Sequence, residues 1–249
     1  MRKKLIAANW KMHKTPREAA AFVHDFIPQI SRHDRDEIAI LPPFISLSAS
    51  IDALRGTGIA VGAQNMHWQK EGAFTGEISA AMLIAIGCQQ VIIGHSERRQ
   101  YFGETDIEVN RKLRSALQGK LKAIVCIGES FQERESGLTE RVLSRQVAAT
   151  LGQICCADVE NFCLAYEPLW AIGTDTAATP EMAAETHSFI RQEAARTLGD
   201  PAAARLRILY GGSVKPESAT ALISKEEIDG ALVGSASLDP ESFARIVKW

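Results

Sequence analysis

Asn161-Phe162-Cys163-Leu164-Ala165-Tyr166-Glu167-Pro168-Leu169-Trp170-Ala171-Ile172-Gly173-Thr174 changes character at Glu167. Up to Tyr166 the stretch is an apolar run of strand length, and then a carboxylate closes it with a proline behind. Pro168 cannot donate to a sheet ladder and biases Glu167 toward an extended backbone. The strand is therefore predicted to stop there, with its last side chain at the sheet's carboxyl edge. Leu169 to Ile172 then form an apolar patch between Pro168 and Gly173 on a segment expected to run over the surface. Such a segment reads either as a lid that keeps water from a site or as a loop packed on its own scaffold, with Glu167 in a surface ion pair.

Working outward, this strand is followed by a helical pattern at 180–198, and the same pairing recurs along the chain. An apolar run at 4–9 precedes helical spacing at 16–30. The further pairs are 38–41 with 46–54, 59–63 with 78–86, 91–94 with 107–117, 122–127 with 138–154, 207–210 with 216–223, and 230–233 with 240–247. The strands are short, apolar and rich in Ile and Val, as strands buried on both faces are. Thr15-Pro16, Thr179-Pro180, Lys215-Pro216 and Asp239-Pro240 punctuate helix starts. Eight strand–helix units in about 250 residues predict a closed (β/α)₈ barrel, and with no linker or composition shift the chain reads as one domain, 1–249. The rival, an open doubly wound sheet, would need a dinucleotide fingerprint. Its nearest match, Gly56-Thr57-Gly58-Ile59-Ala60-Val61-Gly62, has the wrong spacing and leads into a strand.

Composition narrows the partners. With 46% hydrophobic and 23% charged residues the chain has ordinary globular usage. A formal net charge of −2 without a basic run argues against nucleic acid or an anionic membrane as the main partner. The basic start followed by Leu5 to Ala8 is too short for a signal sequence, and no stretch approaches a membrane span. Five cysteines without a C-x-x-C spacing read as reduced and mostly core, which suits the cytoplasm.

In a barrel, side chains at the strands' carboxyl ends share one mouth. The first strand ends in Asn9-Trp10-Lys11, the fourth in Gly94-His95-Ser96-Glu97 and the sixth in Glu167, while the last two end in Gly211-Gly212-Ser213 and Gly234-Ser235-Ala236-Ser237. Each has a bland reading alone: a turn former, a solvated lysine, a hydrogen-bonded core histidine, tight glycine turns. Together they bring a base, an imidazole, a cation and an amide to one opening. Glycine loops after the last two strands let backbone N–H groups approach a phosphate. With no metal cluster or nucleophile–base pair among these residues, the chemistry suggested is proton abstraction next to a carbonyl on a small phosphorylated molecule. Ser96 could cap a short helix whose N-terminus would favour neutral His95.

Asn9-Trp10-Lys11, Gly94-His95-Ser96-Glu97-Arg98-Arg99, Ala165 to Thr174, Tyr210-Gly211-Gly212-Ser213-Val214 and Asp229 to Gly234 resemble the signature blocks of the triosephosphate isomerase family nearly end to end. The resemblance implies interconversion of dihydroxyacetone phosphate and glyceraldehyde 3-phosphate, without cofactor or metal. It implies that Glu167 is the base, His95 the electrophile at the carbonyl, Lys11 the stabilising cation and Asn9 a hydrogen-bond donor. Glu97 would hold Lys11 and His95. Gly173, Ser213, Gly234 and Ser235 would supply phosphate-binding N–H groups. A glutamate base paired with a neutral histidine is the assignment already made for that family. Two positions depart from the family pattern: Asp175-Thr176 follow Thr174 where glycine and often lysine are usual, and Ser235 stands where a second glycine is usual. Asp175 is expected to turn away from the phosphate, and Ser235 is tolerable only with a negative φ.

The stretch 65–77 carries Met66, Trp68 and Phe74 and is apolar for a surface loop. It reads as a loop folded on its own barrel or as one that enters a second subunit. The resemblance implies the latter, a homodimer with Thr75 near the partner's site.

Overall fold

The computed structural model describes residues 2–172 and 178–249. Eight parallel strands form a closed barrel in sequence order. They are β1 (Leu5–Asn9), β2 (Glu37–Leu41), β3 (Ala60–Ala63), β4 (Gln90–Ile93), β5 (Lys122–Ile127), β6 (Phe162–Tyr166), β7 (Arg207–Tyr210) and β8 (Gly230–Val233). The helices around them are α1 (Pro16–Phe26), α2 (Leu47–Ala53), α3 (Ala80–Ala85), α4 (Ser96–Phe102), α5 (Asp106–Gln118), α6 (Phe131–Glu135), α7 (Thr139–Leu151), α8 (Pro180–Leu198), α9 (Asp200–Arg205), α10 (Pro216–Ile223) and α11 (Pro240–Val247). The predicted barrel is thus observed, with strand limits displaced by a residue or so. None of the helices in the described residues is long and apolar enough to cross a membrane.

Strand periodicity divides the core into two layers. Leu5, Ala7, Leu41, Ile92, Ile124, Cys163, Ala165, Leu209 and Leu232 point into the barrel and pack as one cluster. Ile6, Ala8, Ile40, Val91, Ile93, Val125, Leu164, Tyr166 and Val233 point outward against the helices. Continuing the inward set by two residues past Ala7 and Ala165 reaches Asn9 and Glu167, so the same alternation that fills the floor of the barrel also delivers side chains to its mouth. β4 would fail this count, because Gly94 and not His95 has the inward parity. The chain corrects it at Gly94, whose φ is 72° and whose added Cβ would stand 2.8 Å from Val109 Cγ2. Only glycine accepts that backbone and that space. Strand β4 accordingly ends at Ile93, one residue earlier than expected.

Candidate active site

Asn9, Lys11, His95, Glu167, Ser213, Gly234 and Ser235 line one cavity of about 330 Å³ at the carboxyl end of the barrel. Glu97 stands behind this set and grips Lys11, with Nζ 2.6 Å from Oε1. Gly173 lies outside the described residues, as do Thr174, Asp175 and Thr176.

Glu167 is 2% exposed and its carboxylate is fully engaged on one side. Oε2 accepts the Ser96 N–H at 2.8 Å, and Oε1 lies 2.9 Å from His95 Nε2. The Glu97 amide donates to His95 Nδ1 at 3.2 Å. That nitrogen must then carry the lone pair, so the ring's proton sits on Nε2 and is donated to Glu167. His95 itself caps α4. The cap was expected to be Ser96, but Ser96 is the first helical residue and its amide is committed to Glu167.

The two groups tune each other. Burial raises the Glu167 carboxyl's pKa, but the His95 ring and the Ser96 amide outweigh it and the net direction is down. For His95, burial lowers the pKa and the facing Glu167 carboxylate more than reverses it. This upward balance has Glu167 as its main cause. A molecule inserted between the two would remove that cause, leaving burial and Lys11 to lower the pKa against the Glu97 carboxylate.

Lys11 has a φ of 51°, a left-handed conformation uncommon outside glycine. Ser235 has no such strain: it opens a 3₁₀ turn (Ser235–Ser237) after Gly234 and is absent from the residues of positive φ, so the condition for tolerating it is met. The Ser213 N–H donates to the Ala171 carbonyl at 3.2 Å, which ties the β7 loop to the apolar segment after Pro168. That segment begins as a 3₁₀ turn (Leu169–Ala171), and Ile172 lines the cavity. Cys126 is buried beneath the site; burial, then the neighbouring Glu167, push its thiol pKa well up, which disfavours the thiolate.

Two neighbours were missed in the sequence. Glu129 is fully buried, and its Oε1 accepts Tyr166 Oη at 3.1 Å and Trp170 Nε1 at 2.9 Å, with Arg134 Nη1 at 3.4 Å. The Arg134 guanidinium also lies 4.3 Å from the Trp170 ring centroid. The only signal for Glu129 was a carboxylate just beyond β5, in the same place relative to its strand as other mouth residues. Gln64, just beyond β3, donates Nε2 to the Lys11 carbonyl.

The loop at 65–77 is partly folded on itself. Met66 is fully buried, and His67 lies between Trp68 and Phe74, with ring centroids 4.2 and 4.3 Å away. Trp68 is half-buried there, while Phe74 remains 43% exposed and Thr75 is exposed. All five cysteines are free; three are buried and Cys155 and Cys156 are exposed.

The sequence profile described as triosephosphate isomerase matches residues 4–249. Among curated relatives, the triosephosphate isomerase of Solibacter usitatus is 53% identical over 249 residues, covering all of both chains. That of Carboxydothermus hydrogenoformans is 52% identical over 248 residues, covering 100% of this chain and 99% of its own. That of Dictyoglomus thermophilum is 49% identical over 248 residues, with both chains fully covered. With a closed eight-stranded barrel beneath it and full-length likeness on this scale, the chain belongs to the triosephosphate isomerase family.

Proposed function

We propose that this chain, as one barrel domain, interconverts dihydroxyacetone phosphate and D-glyceraldehyde 3-phosphate in glycolysis and gluconeogenesis, in the cytoplasm, by moving one proton between adjacent carbons. Glu167 takes the proton from the carbon next to the carbonyl, and His95 Nε2–H faces the carbonyl oxygen. The electron pair released from the C–H bond moves onto that oxygen as an enediolate; the adjacent hydroxyl proton then passes to it, with His95 facing the two oxygens, and the same carboxylate returns the proton to the neighbouring carbon as that carbon's oxygen becomes the new carbonyl. Lys11 faces the negative charge that develops, and Glu97 fixes the direction of its ammonium. Asn9 accepts the Lys11 N–H on Oδ1 at 3.1 Å, which leaves its NH₂ as the end able to donate to substrate. The phosphate would meet the N–H groups of Ser213, Gly234, Ser235 and Gly173; the Ser213 amide would exchange its Ala171 partner for it.

The observation that carries this reading is the contact between Glu167 and His95 inside a cavity also faced by Lys11. A phosphate-binding barrel without catalysis would need the glycine turns but not this pair. A coupled assay with glyceraldehyde 3-phosphate tests it: wild type should turn over, and Glu167→Gln should lose at least ~10²-fold in kcat with KM little changed. Near-wild-type turnover in that variant would reject Glu167 as the base.

The active form is read as a homodimer. A second cavity of about 270 Å³ shares Asn9, Lys11 and His95 with the first and is rimmed by Met12, Phe44 and Phe102. Met12 is 93% exposed and Phe102 70%. The preformed loop at 65–77 suits that cleft on a second copy, with Thr75 reaching the partner's site.

A further inference from the structure

Lys11 leaves the barrel in a backbone conformation that its own side chain disfavours, and neither of its peptide groups is held by a sheet ladder. Its N–H is taken by Asn9 Oδ1. Its carbonyl accepts Gln64 Nε2 at 2.9 Å, and the same nitrogen donates to the Leu41 carbonyl at 2.8 Å. Both hydrogens of the Gln64 amide are thus used. Leu41 O also accepts the Trp10 N–H at 3.1 Å. One side chain thereby ties together the ends of β1, β2 and β3, where Lys11 turns toward the cavity.

We infer that Gln64 is a positioning residue for the reaction: by holding the Lys11 carbonyl it keeps the left-handed backbone that aims the ammonium at Glu97 and the substrate. The inference rests on the reading of Lys11 as substrate-binding. The role needs two donors on one atom at this reach. Glutamate has the length without the donors, asparagine has the donors one methylene short, and leucine or methionine has neither. Without the bridge, the Lys11 carbonyl can turn to water and φ can relax to negative values. The Cβ would swing with it and carry the ammonium off its line. Because that charge faces the phosphorylated substrate and the enediolate alike, KM should rise and kcat should fall together.

The test is a double-mutant cycle on the full chain, with Gln64→Met, Lys11→Met and the pair, and Gln64→Leu as a second probe should the first fold poorly. Rates are expressed per folded site and measured over a range of enzyme concentrations. Gln64→Met is expected to lower kcat/KM about tenfold or more, and to cost less than about twofold when Lys11 is already Met. The loss should not depend on enzyme concentration. If Lys11→Met keeps wild-type kcat/KM, the reading of Lys11 fails. If Lys11→Met is crippled while both Gln64 variants stay active, or if the two losses multiply in the pair, the positioning role is overturned. A loss that disappears at high enzyme concentration overturns it too, since Gln64 would then act only through assembly.

Discussion

Gly211 lies directly under the Glu167 side chain. A Cβ there would stand 2.8 Å from Glu167 Cγ and 3.1 Å from the Tyr166 carbonyl oxygen, and the Gly211 N–H already donates to that oxygen at 2.7 Å. The backbone cannot yield, so the carboxylate must. Gly211→Ala should therefore lower kcat about tenfold or more while costing ~1–3 kcal/mol of stability, as steady-state rates and urea midpoints would show. The pairing of Glu167 with His95 makes a second prediction. In His95→Gln the depressing influence of the ring is lost while burial, which raises the carboxyl's pKa, remains. The acid limb of kcat/KM should move to higher pH by about one unit or more. An unmoved limb would show that the contact does not set the base. These residues were legible because a carboxylate, an imidazole and glycine turns at strand ends form one chemical set; Gln64 and Glu129 hold the same kind of place and were not. The partners of Gln64 lie 23 and 53 residues away, and those of Glu129, apart from Arg134, lie 37 and 41 away; no local pattern records such a pairing.

At the scale of elements, the strands could be read because burial on both faces makes them continuous apolar runs. α6 could not, because it buries none of its residues and so leaves no periodic stripe. Its trace is polar instead: Ser130 and Glu133 form a capping box, with Ser130 N–H donating to Glu133 Oε2 at 2.8 Å. The helix matters because it presents Arg134 to Trp170 and Glu129. Glu129→Leu would strip the acceptor from a buried phenol, an indole N–H and a guanidinium. It should cost ~2–4 kcal/mol by urea unfolding, a few times a single hydrogen bond, and change the Trp170 fluorescence. A stability loss below ~1 kcal/mol would mean that these donors find other acceptors.

Over the whole molecule, acid stability has an identifiable contributor in His187. It is fully buried on α8, with Nδ1 3.2 Å from the Glu227 carbonyl and its ring against Tyr166 and Tyr210. Burial pushes its pKa down to about 3. An unfolded chain would take up the proton near pH ~6.5, so below that pH the unfolded state binds more protons and stability falls until about pH 3. The slope is up to ~1.4 kcal/mol per pH unit. His187→Asn, which keeps a donor near Nδ1, should flatten the decline between about pH 6 and 4 by ~1 kcal/mol per unit. An unchanged slope in urea titrations would assign acid lability elsewhere. Assembly is the other property at this scale. Sedimentation at micromolar concentration should give a species near twice 27.2 kDa, and Phe74→Glu should shift it toward one copy.

The seam between β1 and β8 carries a consequence for how the chain is made. Every other strand bonds to a neighbour in sequence, whereas this seam pairs Leu5 with Gly230 and Ala8 with Val233. Gly230 has φ 133°, and an added Cβ would collide with the Leu5 carbonyl. A growing chain can thus assemble its first seven strands in order of synthesis but leaves β1 with an open edge until nearly its end has emerged. Loop closure over such a separation is slow and exposes sticky edges meanwhile. Gly230→Ala should chiefly retard refolding and lower the yield of newly made protein, with the arrested species open along one edge of its sheet.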